Sequence, residues 1–600
     1  MKLNINKKNV IGTVMPKIEN AYTKEFLKRR FPKDTNEIIK LLINPPMEND
    51  AHLLHDVDDA VAFMAGLDDD TYVAVMADYD ADGITSGTIL SLALGKKFNN
   101  VKAFIPDRVI DGYGFKRRQV DKALEWAEEH RLVIITCDNG VACFDSIAYA
   151  KSLGIPVIVT DHHSIGDLLP DADYIVHPAL GSYPFASICG AFVAYKFGMV
   201  FLEAIDALDD AEMTSYMHQL AAVATVTDVM PVASDDLETM KVNENRRFLQ
   251  EGLEMMRSHP DWHFKMMADI GGFDIEHIDE TVIGFNIGPA INALGRLYQA
   301  TIGIDFFMEQ DESKAKRLCS FMFYMNNERK SMTPEQKAVA KTAMHEGTMS
   351  CLSFTDDVHH GLVGLIAGAI EREYGKPTGI FSAEEIDGEA CYKGSMRSNE
   401  SVNLYEALTA INEAHPEYFV TFGGHAGAAG VTLKAAHKDD FIKDFDAYCS
   451  SHASAPVDES IALKAEEIPA FAADIAKFKP FGNGFAKPQI RFSFFCTSIW
   501  LFNKSGHVKL SNFKGQDVWL YGQSDAIRKH KAIATGIIPF DSDNKQKLID
   551  EGMDPSDAEA EKWEKYTQYK HHYNFSIKAE LDWSSFAGKV GEQISVIDFE

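Results

Sequence analysis

TYVAVMADYDADG spans residues 71–83, and its reading decides the fold. An apolar, β-prone run, TYVAVMA (71–77), breaks abruptly into Asp78, Asp80 and Asp82, followed by Gly83. The same pattern returns twice downstream. RLVIITC (131–137) ends in DNG, and IPVIVT (155–160) ends in DHH. Helical patterns lie between, such as FKRRQVDKALEWAEEH (115–130) and the segment after Asn139. Buried apolar strands alternating with helices predict a parallel, doubly wound α/β sheet. All three polar motifs fall at C-terminal strand ends, the edge where open parallel sheets bind ligands.

At 600 residues the chain is too long for one core, and about three or four domains are expected. The predicted boundaries are an N-terminal segment 1–50, an α/β domain 51–310, a connecting helix 311–347, a second α/β domain 348–455 and a strand-rich domain 456–600. The connecting stretch has few helix breakers before Pro334. The last domain carries short strand patterns at 489–500, 507–513, 517–524, 531–540, 574–583 and 592–600, which suggest a small barrel. A polar, charged stretch, 541–572, reads as an insertion between them.

The formal net charge is −30, which argues against coating nucleic acid through bulk charge. It leaves room for contacts confined to one basic groove. The eight cysteines are scattered with no C-x-x-C pair, the usage of a reducing compartment. No signal peptide is expected from MKLNINKKNVIGTV, and apolar runs such as GLVGLIAGAI (361–370) are short of a membrane span. A cytoplasmic protein with no membrane partner is expected.

Three carboxylates within five residues repel one another unless cations neutralise them. In an extended segment alternate residues point the same way, so Asp78, Asp80 and Asp82 can converge. The blander reading is a polar turn that caps the following helix. Asp138 at the second strand end, Asp161, His162 and His163 at the third, and Asp228 in ATVTDVMP (224–231) favour metal binding. Oxygen ligands with imidazole suit manganese or magnesium better than a thiolate zinc site. This many ligands suits two metal ions.

DYDADG, DNG and DHH, in order and at strand ends, resemble the first three motifs of the DHH phosphoesterases, and TDVMP resembles the fourth. The resemblance implies that Asp80 and Asp82 each reach a metal, that Asp138 bridges, and that His162 and Asp228 are ligands. Asp78 is a further ligand candidate. Asp161 and His163 are the catalytic candidates, with His163 placed near the phosphate. Further segments resemble the RecJ branch: IPDRVIDGYG (105–114), ICGAFVAYKF (188–197), GPAINALGRL (288–297), HHGLVGLIAG (359–368), GSMRS (394–398), GGHAGAAG (423–430) and FKPFGNGFAKP (478–488). They imply substrate contacts from Arg108, Tyr113, Asn292, Arg296, His359, Ser395, Arg397, Gly424 and His425. The implied architecture is a parallel-sheet DHH domain, a long helix, a DHH-associated domain and an OB-like β-barrel.

Two departures stand out. Many relatives have a histidine where this chain has Met76, and GPAINALGR lacks one arginine of the family segment while keeping Arg296. The function implied is 5′→3′ exonucleolytic hydrolysis of single-stranded DNA with two Mn2+ ions, Mg2+ being the alternative. Repair, recombination or replication proteins are the expected further partners. Phe494, Trp500 and Trp519 offer stacking surfaces in the barrel strands, although core packing is the commoner role for such rings. Two rival functions are weighed. One is a phosphodiesterase acting on short oligonucleotides or cyclic dinucleotides, which the C-terminal strands disfavour. The other is a non-catalytic replication-associated scaffold, which the intact Asp80, Asp82, Asp138, His162 and Asp228 disfavour.

Overall fold

The structure is a computed structural model, and it describes residues 18–108, 110–112, 114–386, 388–399, 401–453, 458–502, 507–511, 517–520, 566–586 and 589–599. The chain divides into two compact units. One comprises Glu48–Met230 and Phe248–Val457, and the other Met1–Met47, Pro231–Arg247 and Asp458–Glu600.

The first unit opens with the expected parallel sheet. Its strands are β1 (Tyr72–Ala77), β2 (Asn100–Phe104), β3 (Leu132–Cys137), β4 (Val157–Thr160) and β5 (Tyr174–Val176), in the order β2-β1-β3-β4-β5. β3 and β4 are buried throughout, because helices cover both faces of a parallel sheet. Helix Ala81–Leu94 follows β1 and is itself almost wholly buried, packed by helices Gly190–Ala204 and Ala211–Thr227. Its sequence, ADGITSGTILSLAL, has small and apolar residues on every side, as a helix buried all round requires.

A long helix, Glu312–Thr342, leads to the second sheet of this unit. Pro334 lies inside this helix without ending it. The Thr333 hydroxyl donates to the Arg329 carbonyl at 2.6 Å and helps hold that turn closed. The sheet comprises β6 (Met344–Glu346), β7 (Cys351–Phe354), β8 (Thr378–Ile386), β9 (Glu389–Arg397), β10 (Phe419–His425) and β11 (Ala428–Lys434). Their order is β10-β11-β9-β8-β7-β6, antiparallel except for the β7–β8 pair. Leu352, Phe381, Leu404, Leu408 and Phe441 form its core on one side.

The second unit contains β12 (Ile461–Ala462), β13 (Gln489–Phe502), β14 (His507–Ser511), β15 (Asp517–Leu520), β16 (Tyr566–Phe586) and β17 (Lys589–Phe599). They form an antiparallel path β15-β14-β13-β16-β17, with β12 parallel to β13. Among the described residues this path is not closed by pairing into a ring. The strand expected at 531–540 and most of the 541–572 insertion lie outside the described residues. The insertion was drawn too long, because residues 566–572 belong to β16, where Tyr566 pairs with Phe502 and Tyr569 with Ile499. The charge of that stretch hid the β-prone Tyr566, Thr567 and Tyr569. Phe494 is core.

The N-terminal helices Ala21–Arg30 and Thr35–Ile43 pack within this same unit. The fully buried Arg246 ties its segments together. Its guanidinium donates to the Leu42 carbonyl at 2.8 Å and the Pro480 carbonyl at 2.9 Å, meeting the rule that a buried charge be hydrogen-bonded.

Candidate metal centre

The acids sit where apolar strands stop. Asp78 follows β1, Asp138 follows β3 and Asp161 follows β4, so one sheet edge gathers all three. Asp80 is the N-cap of helix Ala81–Leu94 and accepts from the Gly83 N–H at 3.1 Å. The capping role and the ligand role are therefore compatible for this residue. Asp82 lies in the first turn of the same helix. Its two carboxylate oxygens accept from the Gly190 and Ala191 N–H groups, each at 2.7 Å, at the start of helix Gly190–Ala204. Unsatisfied amides at a helix N-terminus favour an anion there. Gly190 is required by crowding as well, since a Cβ would stand 2.6 Å from the Asp138 Cβ.

His162 joins these acids. Its Nε2 lies 3.1 Å from Asp138 Oδ1 and 3.6 Å from both Asp82 Oδ2 and Asp228 Oδ2. Asp228 caps the C-terminus of helix Ala211–Thr227. The chain leaves that helix by a Schellman turn, with Val229 N–H on the Val226 carbonyl and Met230 N–H on the Thr225 carbonyl. Val229 pays for the turn with φ +54°, a left-handed conformation costly for a β-branched residue. Backbone strain of this kind gathers at functional sites.

Three overlapping sets of ligand atoms lie within 4.8 Å of one another: Asp138, His162 and His163; Asp82, His162 and Asp228; and Asp78, Asp80 and Asp138. Burial is the largest cause that raises Asp138 and Asp78 well above the usual carboxylate range, and neighbouring carboxylates add to it. Asp228 is pushed up to about 9 by burial and by Asp82 and Asp80. Asp78 Oδ1 and Asp228 Oδ2 are buried without a hydrogen-bond partner. So many crowded, partly orphaned carboxylate oxygens fit divalent cations, whose charge would remove the repulsion. Met76, two residues before Asp78 on β1, packs in the apolar core with Phe104 and Phe115.

Asp161 is fully engaged. It accepts from the Val141 N–H at 2.9 Å, the His162 and His163 N–H groups at 2.7 and 3.1 Å, and His163 Nδ1 at 2.8 Å. Burial opposes its charge, yet these donors and the two imidazoles hold its carboxyl below the usual range. Burial likewise opposes charge on His163. The Asp161 hydrogen bond and the carboxylates around it prevail and raise His163 to about 9.

The segment GPAINALGRL forms helix Gly288–Leu297, preceded by a π-helical turn at Ile283–Ile287. Asn292, expected to touch substrate, accepts from the Ala81 N–H at 2.9 Å through its Oδ1 and so anchors the first acidic loop. Gly295 lets the helix approach that loop, for a Cβ would meet the Tyr79 carbonyl oxygen at 2.2 Å. Arg296 Nη1 donates to the Gly361 carbonyl at 3.3 Å. Its guanidinium is lowered to about 10, first by burial and then by the charges of Arg108 and Arg329, with Arg397 adding to them. Arg329 was not singled out in the sequence. It lies within a charged helical stretch, NNERK, where its direction could not be read. Arg108 also sits 4.7 Å over the Tyr79 ring. On β9, Arg397 Nη1 donates to Ser395 Oγ at 2.8 Å and to the Met396 carbonyl at 2.7 Å. His359 Nδ1 accepts from the Gly361 N–H at 3.1 Å. Gly424 and His425 lie at the exposed end of β10, in a hairpin with β11. Tyr113 lies outside the described residues.

Residues 72–225 match the DHH family, N-terminal domain, and residues 347–451 match the DHHA1 domain. The chain is 30% identical over 432 residues to the single-stranded-DNA-specific exonuclease RecJ of Haemophilus influenzae, covering 69% of this chain and 71% of that one. It is 32% identical over 380 residues to the RecJ of Bacillus subtilis, covering 61% of this chain and 44% of the longer relative. The fold is similar to the crystal structure of RecJ from Thermus thermophilus in complex with Mn2+, with a TM-score of 0.68 at 20% identity, over 96% of this chain and 77% of that one.

Proposed function

The chain belongs to the RecJ family of single-stranded-DNA-specific exonucleases, and from that premise we propose that it removes nucleotides from the 5′ end of single-stranded DNA by metal-dependent phosphodiester hydrolysis. The observation that carries this reading is the position of His162 Nε2, within 3.6 Å of carboxylates from three separate segments of the chain. Asp80, Asp82, Asp138, His162 and Asp228, with Asp78, would hold two Mn2+ ions, or Mg2+, with Asp138 between them. Bound there, divalent cations neutralise a phosphodiester and lower the pKa of an attacking water.

The chain's own residues do the rest. Asp161 orients His163, and a protonated His163 donates to the phosphate as charge accumulates on it. Arg108, Arg296 and Arg329 gather positive charge in the cleft for the strand's backbone. Arg397 and Ser395 form the pocket for a terminal 5′-phosphate, which sets the polarity. The C-terminal strands serve as an OB-like element for single strands. Their path supports closure, since β15 and β17, its two end strands, have Cα atoms within 8 Å of one another. Among the described residues no helix is long and apolar enough to cross a membrane. The eight scattered cysteines without a C-x-x-C pair support a place in the reducing cytoplasm.

The test is degradation of labelled single-stranded DNA blocked at one end, with Mn2+. Blocking the 5′ end should stop release of nucleotides and blocking the 3′ end should not. The reverse pattern, or full activity in excess chelator, would overturn the reading.

A further inference from the structure

Two residues beyond Arg296, helix Gly288–Leu297 ends at Tyr298, which is 55% exposed. Its ring centroid lies 5.1 Å from that of Phe321, edge to face. Phe321 lies in turn 6.3 Å from Tyr324, tilted by 34°, and Tyr324 is 56% exposed. Phe321 and Tyr324 belong to the long helix Glu312–Thr342. The exposed Lys314 and Arg317 sit on the same face of it. At 100° per residue, positions 314, 317, 321 and 324 fall within about 80° of arc. The three rings thus form a row open to solvent, bordered by two cations.

We propose that Tyr298, Phe321 and Tyr324 form a stacking track for the unpaired bases of the strand, with Lys314 and Arg317 facing its phosphates. This rests on the exonuclease reading, because the strand that enters the arginine-lined cleft is the occupant. Two features favour nucleic acid over a protein partner. Lys314 and Arg317 lie on the same helix face as Phe321 and Tyr324. In a chain of net charge −30, a local cationic stripe is where an anionic polymer is drawn. Stacking is also tolerant of sequence, as an enzyme that must pass every base requires.

The experiment compares kcat/KM, with Mn2+, for three 5′-phosphorylated substrates: a thymidine 20-mer, a thymidine dinucleotide, and a 20-mer abasic from its fourth position. The double variant Tyr298→Ser/Tyr324→Ser should lower the ratio of 20-mer to dinucleotide about tenfold or more. It should also abolish the wild-type preference for the 20-mer over its abasic counterpart. Tyr298→Phe/Tyr324→Phe should restore both. A Ser variant that keeps the preference for bases overturns the track and leaves the row to a protein partner. Equal loss on all three substrates at unchanged Tm overturns it too, by making the rings structural supports of the cleft. If the wild-type enzyme hydrolyses neither 20-mer nor dinucleotide, the exonuclease reading itself fails and the track falls with it.

Discussion

His163 Nδ1 lies 2.8 Å from Asp161 Oδ1, and this contact fixes which ring nitrogen is turned away from the β4 strand end. In the proposed mechanism Asp161 therefore acts through His163 and positions it. Asp161→Asn should leave the Val141 contact possible while removing the charge that holds His163 protonated. Turnover should fall about 10- to 100-fold, the usual effect of losing an orienting partner, with Mn2+ still bound. Single-turnover rates at saturating Mn2+ check it. An unchanged rate would remove His163 protonation from the account.

Gly295→Ala should misplace the first acidic loop. A methyl group there would stand 2.2 Å from the Tyr79 carbonyl, between Asp78 and Asp80. A displacement near 1 Å at a reacting centre costs about 100-fold in rate. The same change should weaken Mn2+ binding, measurable by titration calorimetry. Normal metal affinity with normal turnover would show that the loop tolerates the shift.

Arg397→Ala should reduce the preference for 5′-phosphorylated over 5′-hydroxyl strands about tenfold, with a smaller loss on the hydroxyl substrate. A terminal monoester carries more charge than an internal diester, so a guanidinium beside Ser395 discriminates between them. Rates on the two substrates decide it, and an unchanged preference rejects the pocket.

Stability should depend on His218. It is buried against Phe248, with ring centroids 3.8 Å apart, and its Nε2 donates to the Phe248 carbonyl at 2.9 Å. Burial holds its pKa down to about 4, whereas the unfolded chain takes up a proton near 6.5. Stability from this group is therefore complete above pH 6.5 and is lost as pH falls towards 4, by up to about 3 kcal/mol. His218→Gln should lose several degrees less of Tm between pH 7 and 4.5 than the wild type does. Equal losses would place the acid sensitivity elsewhere.

The parallel sheet and its acidic edge were legible because short apolar runs break sharply into Asp78, Asp138 and Asp161, a local signal. Asp82 on the Gly190 and Ala191 amides was not legible, since those partners are more than a hundred residues away. The bracing role of Asn292 was not legible for the same reason: its partner, the Ala81 N–H, lies 211 residues upstream, and only the folded chain shows that the side chain braces the loop. Arg329 was hidden among helix charges, whose direction depends on which face the helix buries. The insertion was drawn into β16 because charge at Lys570, His571 and His572 outweighed, in the reading, a β-prone pattern satisfied by pairing with β13.

The central claim is a pair of divalent cations held across Asp138. It is tested most directly by measuring Mn2+ stoichiometry and turnover on 5′-phosphorylated single-stranded DNA for the wild type and Asp138→Ala. The account predicts two ions per wild-type chain, loss of at least one in the variant, and turnover below a few per cent of wild type at an unchanged Tm. A folded Asp138→Ala enzyme that keeps both ions and most of its rate would contradict it.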